Sequence, residues 1–319
     1  MSKNNTMSIA ELTDWFYRGK YGVMMHFLGD YRSTDESWDQ VVNAFDCEGL
    51  AKQLHECGAN HLLFTISQCG GRFCMPIESY DKVLREAGFN KKLCSDRDLV
   101  ADLITALDKY GINLMLYAAA EGPVAGELND IFPWDSKTGK GPGEGFTDKY
   151  FPMLRELSLR YGEKVKGWWI DGCDYSLFAN EEYDKAFEEV LRAGNPGTLI
   201  AYNTGAGTVA KMSDRQDYTA GEANYLSFYP VGRFIDGLQW HVLTYLGPWW
   251  TDAHCVSSNE KVASYVKECT DKGGVVTFDF AYNADGTMTE AHFDQLMAVK
   301  ALIRDNIPLD ELPESQDYK

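Results

Sequence analysis

The chain reads as an α/β protein of the (β/α)8 TIM-type barrel class, folded as a single domain. Three observations predict this. Short apolar runs alternate with amphipathic stretches along 319 residues, a length at which a barrel closes as one domain. Eight such runs can be counted, the number that a closed barrel needs. Polar and acidic residues stand just past their ends, where barrel enzymes keep their chemistry.

In chain order the strand-like runs are 21–26, 61–66, 112–118, 167–171, 198–203, a weaker one at 216–219, 240–246 and 274–280. Most are continuous in apolar character rather than alternating, as strands buried on both faces are. Helix-like stretches lie between them, at 47–57, 97–110, 148–161, 182–192, 258–271 and 290–304. In the second of these, Leu99, Leu103, Leu107 and Tyr110 repeat at helical spacing, and Gly111 stops the helix before the next strand. Two connections depart from the pattern. Residues 204–216 offer little helix, and 222–237 read as a long loop of the kind that carries function. A glycine-rich excursion at 136–145 lacks phosphate-loop spacing and reads as a loop or lid. The ends, 1–12 and 308–319, are expected to be flexible.

Charge excludes some partners. With 48 Asp and Glu against 30 Lys and Arg the net charge is −18, a field that repels nucleic acid and anionic membranes. No run approaches the roughly 18 apolar residues of a membrane-spanning helix. The N-terminus lacks the apolar stretch of a signal peptide. Eight cysteines, none in a CxxC pair, are too dilute for a disulfide framework and badly spaced for zinc. Reduced thiols in a cytoplasmic protein are the expectation. His254 and His292 lack metal-ligand spacing, Cys69 has no histidine partner in sequence, and no metal or cofactor is expected. Aromatic residues reach 13%, enough to suit a carbohydrate cleft as well as a core. Oligomeric state is not legible.

The strand ends hold His26, then Ser67-Gln68-Cys69, Glu121, Asp171, Asn203, Glu222 slightly beyond its run, Trp249-Trp250 and Asp279. Four carboxylates in that ring, with tryptophans between, favour catalytic and sugar-hydroxyl-binding groups. Asp171 ends the run Gly167-Trp168-Trp169-Ile170 and precedes Gly172. Either a catalytic carboxylate or a helix cap fits it there. His26 reads as a core histidine or a ligand, and so does His241. Trp249 and Trp250 read as stacking platforms or core. Arg72 either binds the sugar or pairs with a surface acid.

Several segments resemble the α-L-fucosidase family of glycoside hydrolases, and in the family's order. Trp15-Phe16-Tyr17-Arg18-Gly19-Lys20-Tyr21-Gly22-Val23-Met24-Met25-His26-Phe27 is similar to its opening WF…KFGIFIHWG. Gly58-Ala59-Asn60-His61-Leu62-Leu63-Phe64-Thr65 resembles GAKYIVLT. Asp98-Leu99-Val100, followed by Gly111 to Tyr117, is similar to its D-V…G-L…LY unit, and Tyr150 to Asp171 resembles Y…QL.EL…Y…WFDG. Asn283-Ala284-Asp285-Gly286-Thr287-Met288 resembles N…DG.I.

The resemblance implies a retaining, exo-acting hydrolase of an α-linked terminal sugar such as L-fucose. Asp171 matches the nucleophile. Asp217-Tyr218-Thr219-Ala220-Gly221-Glu222 loosely matches D-Y-x-T-x-E and nominates Glu222 as acid/base, with Glu121 as the competing acid. His26 matches a histidine that contacts sugar hydroxyls. Gln68, Arg72, Tyr117, Trp169, Asn203, His241, Trp249 and Trp250 complete the candidate binding residues. The departures are specific. Ser67-Gln68-Cys69-Gly70-Gly71-Arg72-Phe73 stands where the family has KHHDGF, Trp240-His241 replaces a W-E pair, and the sequence given stops where the family usually adds a C-terminal β-sandwich. Two other readings stay open: a non-catalytic sugar-binding relative, and a barrel lyase or isomerase acting on a sugar.

Overall fold

The computed structural model describes residues 7–28, 37–68, 70–135 and 141–315, the side chains of Tyr175 and Ser176 excepted. Cys69 and residues 136–140 of the glycine-rich excursion lie outside them. Seven parallel strands carry the fold: β1 Tyr21–Met25, β2 His61–Thr65, β3 Asn113–Ala119, β4 Val165–Asp171, β5 Leu199–Tyr202, β6 His241–Tyr245 and β7 Val275–Asp279. Their order is β6-β7-β1-β2-β3-β4-β5. The registers run Val23↔Leu62, Leu62↔Leu114, Trp169↔Tyr117 and Val23↔Phe278. The fold is a (β/α)8-like barrel, as its alternating pattern predicts.

The weak run at 216–219 is corrected: it is not a strand. Segment 217–223 crosses the gap between β5 and β6 irregularly. Asp217 N donates to Ile200 O at 2.9 Å, Leu243 N to Gly221 O at 3.0 Å, and Ala223 N to Leu243 O at 2.7 Å. The Asp217 carboxylate itself takes the Ile200 N–H at 2.8 Å, so a side chain stands in for a ladder bond. Gly221, at φ +62°, then bends the segment toward β6.

Strand parity sorts the core into two layers. Met24, Leu63, Met115, Tyr117, Trp169, Ala201, Leu243 and Val275 fill the barrel, with Phe16 and Tyr218 in the same cluster. Their neighbours Val23, Leu62, Leu116, Trp168, Ile170 and Val276 pack outward with the helices. Because Trp169 faces in, Asp171 two residues on faces in as well, at the strand's C-terminal end.

All six expected helices form: Cys47–Glu56, Leu99–Asp108, Phe146–Tyr161, Glu181–Leu191, Asn259–Asp271 and Glu290–Ile303. Glu78–Glu86 is a further helix, missed in the sequence although Tyr80 and Leu84 mark its buried face. Parts of both ends carry local structure where they are described. Ile9–Leu12 is a helix with a capping box from Ser8, and Ser315 Oγ accepts from Asn259 N at 2.7 Å. Residues 1–6 and 316–319 lie outside the described residues. Among the described residues no helix is long and apolar enough to cross a membrane, and no His, Cys, Asp and Glu group is placed to hold a metal.

Candidate active site

Residues at or just past the C-terminal ends of β1 to β4, β6 and β7, with Glu222 from segment 217–223, surround a hollow of about 200 Å³. His26, Gln68, Tyr117, Trp169, Asp171, Glu222, Trp249 and Trp250 line it, each expected from the sequence. Leu28, Leu243, Thr251 and Tyr282 also line it and were not foreseen. None of these four is polar at a strand end except Thr251, so the strand-end signal does not reach them.

Asn203 organises the centre. It is 1% exposed at the end of β5, and its Nδ2 donates to Asp171 Oδ1 at 2.8 Å and to Glu222 Oε2 at 2.7 Å. Two oxygens held by one nitrogen lie no further apart than those distances laid end to end, about 5.5 Å. Asp171 Oδ2 accepts the Tyr117 hydroxyl at 2.5 Å, and Gln68 Nε2 donates to that hydroxyl at 2.8 Å. With Gln68 supplying a donor, the single phenolic proton is directed to Asp171. Tyr117 also stacks on Trp169, centroids 5.3 Å apart, and Trp169 Nε1 is tied to Ala220 O at 3.1 Å.

Glu222 is half-buried on the irregular segment, its carbonyl accepting from Gly207 N at 2.8 Å. Burial pushes its carboxyl pKa above the usual range, and the Asp171 charge pushes the same way; the Asn203 bond and His26 pull it back. A carboxyl in that setting keeps its proton to higher pH than an exposed glutamate.

On the other wall His26 Nδ1 bonds Asp279 Oδ1 at 2.7 Å, and Asp279 Oδ2 takes Thr251 N at 2.7 Å. With Nδ1 given to Asp279, Nε2 is left for the hollow. Asp279 was visible as a strand end but carried no assigned role.

Four expected residues do not line the hollow: Asn203, which is buried and binds both carboxylates, and three others. His241 is corrected to a core histidine at the barrel floor, 1% exposed, with Nδ1 on Thr219 O and Nε2 on Thr277 Oγ1, both at 2.8 Å. It begins β6 instead of ending it, which puts it at the opposite end of the barrel from the hollow. Arg72 is corrected to an exposed residue in a neighbouring depression with Phe89 and Lys91. The turn closed by Gly71 N to Gln68 O, at 2.9 Å, leads the chain away before Arg72. Glu121 lies against Gly172, and it does not line the hollow.

A (β/α)8-like barrel that gathers two carboxylates on one amide, among aromatic rings, at the C-terminal end of its sheet has the architecture of a glycoside hydrolase. Residues 29–306 match the family model described as alpha-L-fucosidase. The chain belongs to the alpha-L-fucosidase family. No curated protein matches it. Among solved structures, the endo-fucoidan hydrolase MfFcnA4 from glycoside hydrolase family 107 superposes at TM-score 0.69 and 14% identity, covering 92% of this chain and 53% of that one. Alpha-L-fucosidase AlfC from Lactobacillus casei, in complex with alpha-L-fucose product, is similar at TM-score 0.66 and 18% identity, with coverage of 93% and 99%. Alpha-L-fucosidase isoenzyme 1 from Paenibacillus thiaminolyticus gives 0.69 and 18%, covering 94% and 77%. The chain spans about half the length of the first of these. At such identities the likeness is one of fold.

Proposed function

We propose that this protein is a retaining exo-glycoside hydrolase that removes an α-linked terminal sugar of the L-fucose type. The observation that carries the reading is the Asn203 amide, which holds Asp171 and Glu222 on one nitrogen. Retaining enzymes need their carboxyls about 5–5.5 Å apart, whereas inverting ones leave room for a water.

In the first step Asp171 attacks the anomeric carbon while the bond to the leaving oxygen breaks, and Glu222 transfers its proton to that oxygen. In the second, Glu222 takes a proton from water, the water oxygen bonds the anomeric carbon, and Asp171 departs with its electron pair. Two displacements return the original anomeric configuration. The raised Glu222 pKa supports the acid role. Tyr117 and Asn203 each hold one oxygen of Asp171, and Gln68 stands behind Tyr117. His26, braced by Asp279, suits a sugar hydroxyl, and Trp169 and Trp250 suit an apolar sugar face. The sugar class rests on family membership and on the fucosidases and fucoidan hydrolases that share the fold.

Hydrolysis of 4-nitrophenyl α-L-fucoside tests the reading. Asp171→Ala is expected to reduce turnover to background, and Glu222→Gln to lower kcat by about 10²–10⁴-fold. Turnover that survives both substitutions would sink the two-carboxylate mechanism. Sugar binding by calorimetry without turnover of any glycoside would favour a non-catalytic relative.

A further inference from the structure

We propose that Tyr225 and Trp249 form a second sugar-binding platform, which takes the neutral pyranose ring on the leaving-group side of the scissile bond. The inference rests on the hydrolase reading above and deepens it: the two rings select a neutral second ring in the substrate.

Position comes first. The leaving oxygen has to reach Glu222, so whatever is attached to it passes that residue's side of the hollow. Tyr225 lies three residues beyond Glu222, outside the lining of the hollow, and is 69% exposed; Trp249 is 60% exposed at its rim. Single exposed rings are ordinary on a protein surface. These two are joined. Both meet the buried ring of Tyr245, at centroid distances of 6.3 Å from Tyr225 and 6.1 Å from Trp249. Tyr245 also abuts Trp250 at 5.0 Å, and Trp250 abuts His26 at 4.9 Å. Aromatic surface therefore continues from inside the hollow to the exterior.

Tyr245 lies close enough to Glu222 for the glutamate's charge to add to burial and to Tyr225 in raising its phenol pKa. That places the platform beside the residue proposed to protonate the leaving group. Pyranose rings present flat C–H faces to exposed aromatic rings, and Tyr and Trp supply such surface at low conformational cost. Charge narrows the ligand. Among the described residues no Lys or Arg lines the hollow, and the net charge is −18, so a neutral second ring fits better than a sulfated or carboxylated one.

The test compares two kinds of substrate in the full chain. α-L-Fucosyl fluoride has a one-atom leaving group and does not reach the platform. α-L-Fucosyl disaccharides with glucose, galactose or N-acetylglucosamine as the second ring do reach it. Tyr225→Ala is expected to lower kcat/KM for the best disaccharide by about tenfold or more, with the fluoride changed less than twofold. Tyr225→Phe is expected to restore the disaccharide rate, because the ring and not the hydroxyl stacks. Equal losses on both substrates, or no loss on either, would overturn the platform. An unaltered protein that hydrolyses the fluoride but gains nothing from a second ring overturns the platform alone. One that hydrolyses neither substrate removes the fucoside reading as well.

Discussion

Asn203 shows how one neutral side chain can set the chemistry of two charged ones. Its amide donates both hydrogens, one to each carboxylate, and its burial keeps water from competing for them. The bond to Glu222 favours the charged form, so it opposes burial and the Asp171 charge. Removing it has a definite sign. In Asn203→Ala the Glu222 pKa rises further, and the alkaline limb of the kcat/KM profile moves to higher pH. The rate on the acid side falls by about ten- to hundredfold, the scale of a lost hydrogen bond to a charged group. A pH profile of the variant on 4-nitrophenyl α-L-fucoside checks both effects; a limb that stays in place would separate Glu222 from the acid role. The three residues of this cluster were readable from their place after apolar runs. The single nitrogen joining them was not, since rotamers and inter-strand distances leave no trace in sequence.

Among the elements, segment 217–223 departs most from its expected form and carries the most consequence. Residues 216–219 read as a weak strand, yet Asp217 bonds β5 through backbone and side chain, and the segment then swings to β6. Gly221 makes the swing possible. Its φ is +62°, and a Cβ there would lie 2.1 Å from His241 O. Gly221→Ala is therefore expected to cost more than the roughly 1–2 kcal/mol of a left-handed backbone alone, and to displace Glu222 with it. Gly88 is the control, at φ +73° with nothing within 4 Å of an added Cβ. Chemical denaturation of Gly221→Ala against Gly88→Ala measures the difference, and equal losses would show that the close approach to His241 does not matter. The turn after β2 teaches the same lesson. Gln68 and Arg72 are four apart in sequence, and the bend at Gly71 puts only Gln68 at the hollow.

For the whole molecule, the opposite end of the barrel limits the pH range. At its floor His61 Nε2 and His241 Nε2 both bond Thr277 Oγ1 at 2.8 Å, while His241 Nδ1 bonds Thr219 O. A carbonyl only accepts, so His241 carries its proton on Nδ1 and takes the Thr277 hydroxyl hydrogen on Nε2. His61 then donates from Nε2 to the threonine oxygen, and its buried Nδ1 has no bonding partner. Both rings are neutral. Burial lowers the His241 pKa to about 4 and that of His61 well below the ordinary value. The unfolded chain protonates these rings first as pH drops, so their contribution is intact above about 6.5 and is lost toward pH 4. Between pH 7 and pH 5 the unfolding free energy is expected to fall on the order of 2 kcal/mol for His241 alone. Urea titrations at both values check this, and a smaller fall in His241→Gln would assign the loss to that ring; an unchanged fall would not.

The sequence by itself determined the barrel class, seven of its strands, its six main helices and the ring of polar residues at the strand ends. Those are local properties: continuous apolar runs, 3.6-residue spacing and the residue at which a run stops. Tertiary structure alone decided which members of the ring meet. Asp171 ends β4, Asn203 follows β5 and Glu222 lies on the irregular segment between β5 and β6, and they converge because barrel closure brings those three places together. His241, Arg72 and Glu121 carry equally suitable groups and are kept apart from the hollow, one by the end of the strand it occupies and two by how the chain turns after its strand. Residue type states what a side chain can do; closure and turn geometry state where it is able to do it.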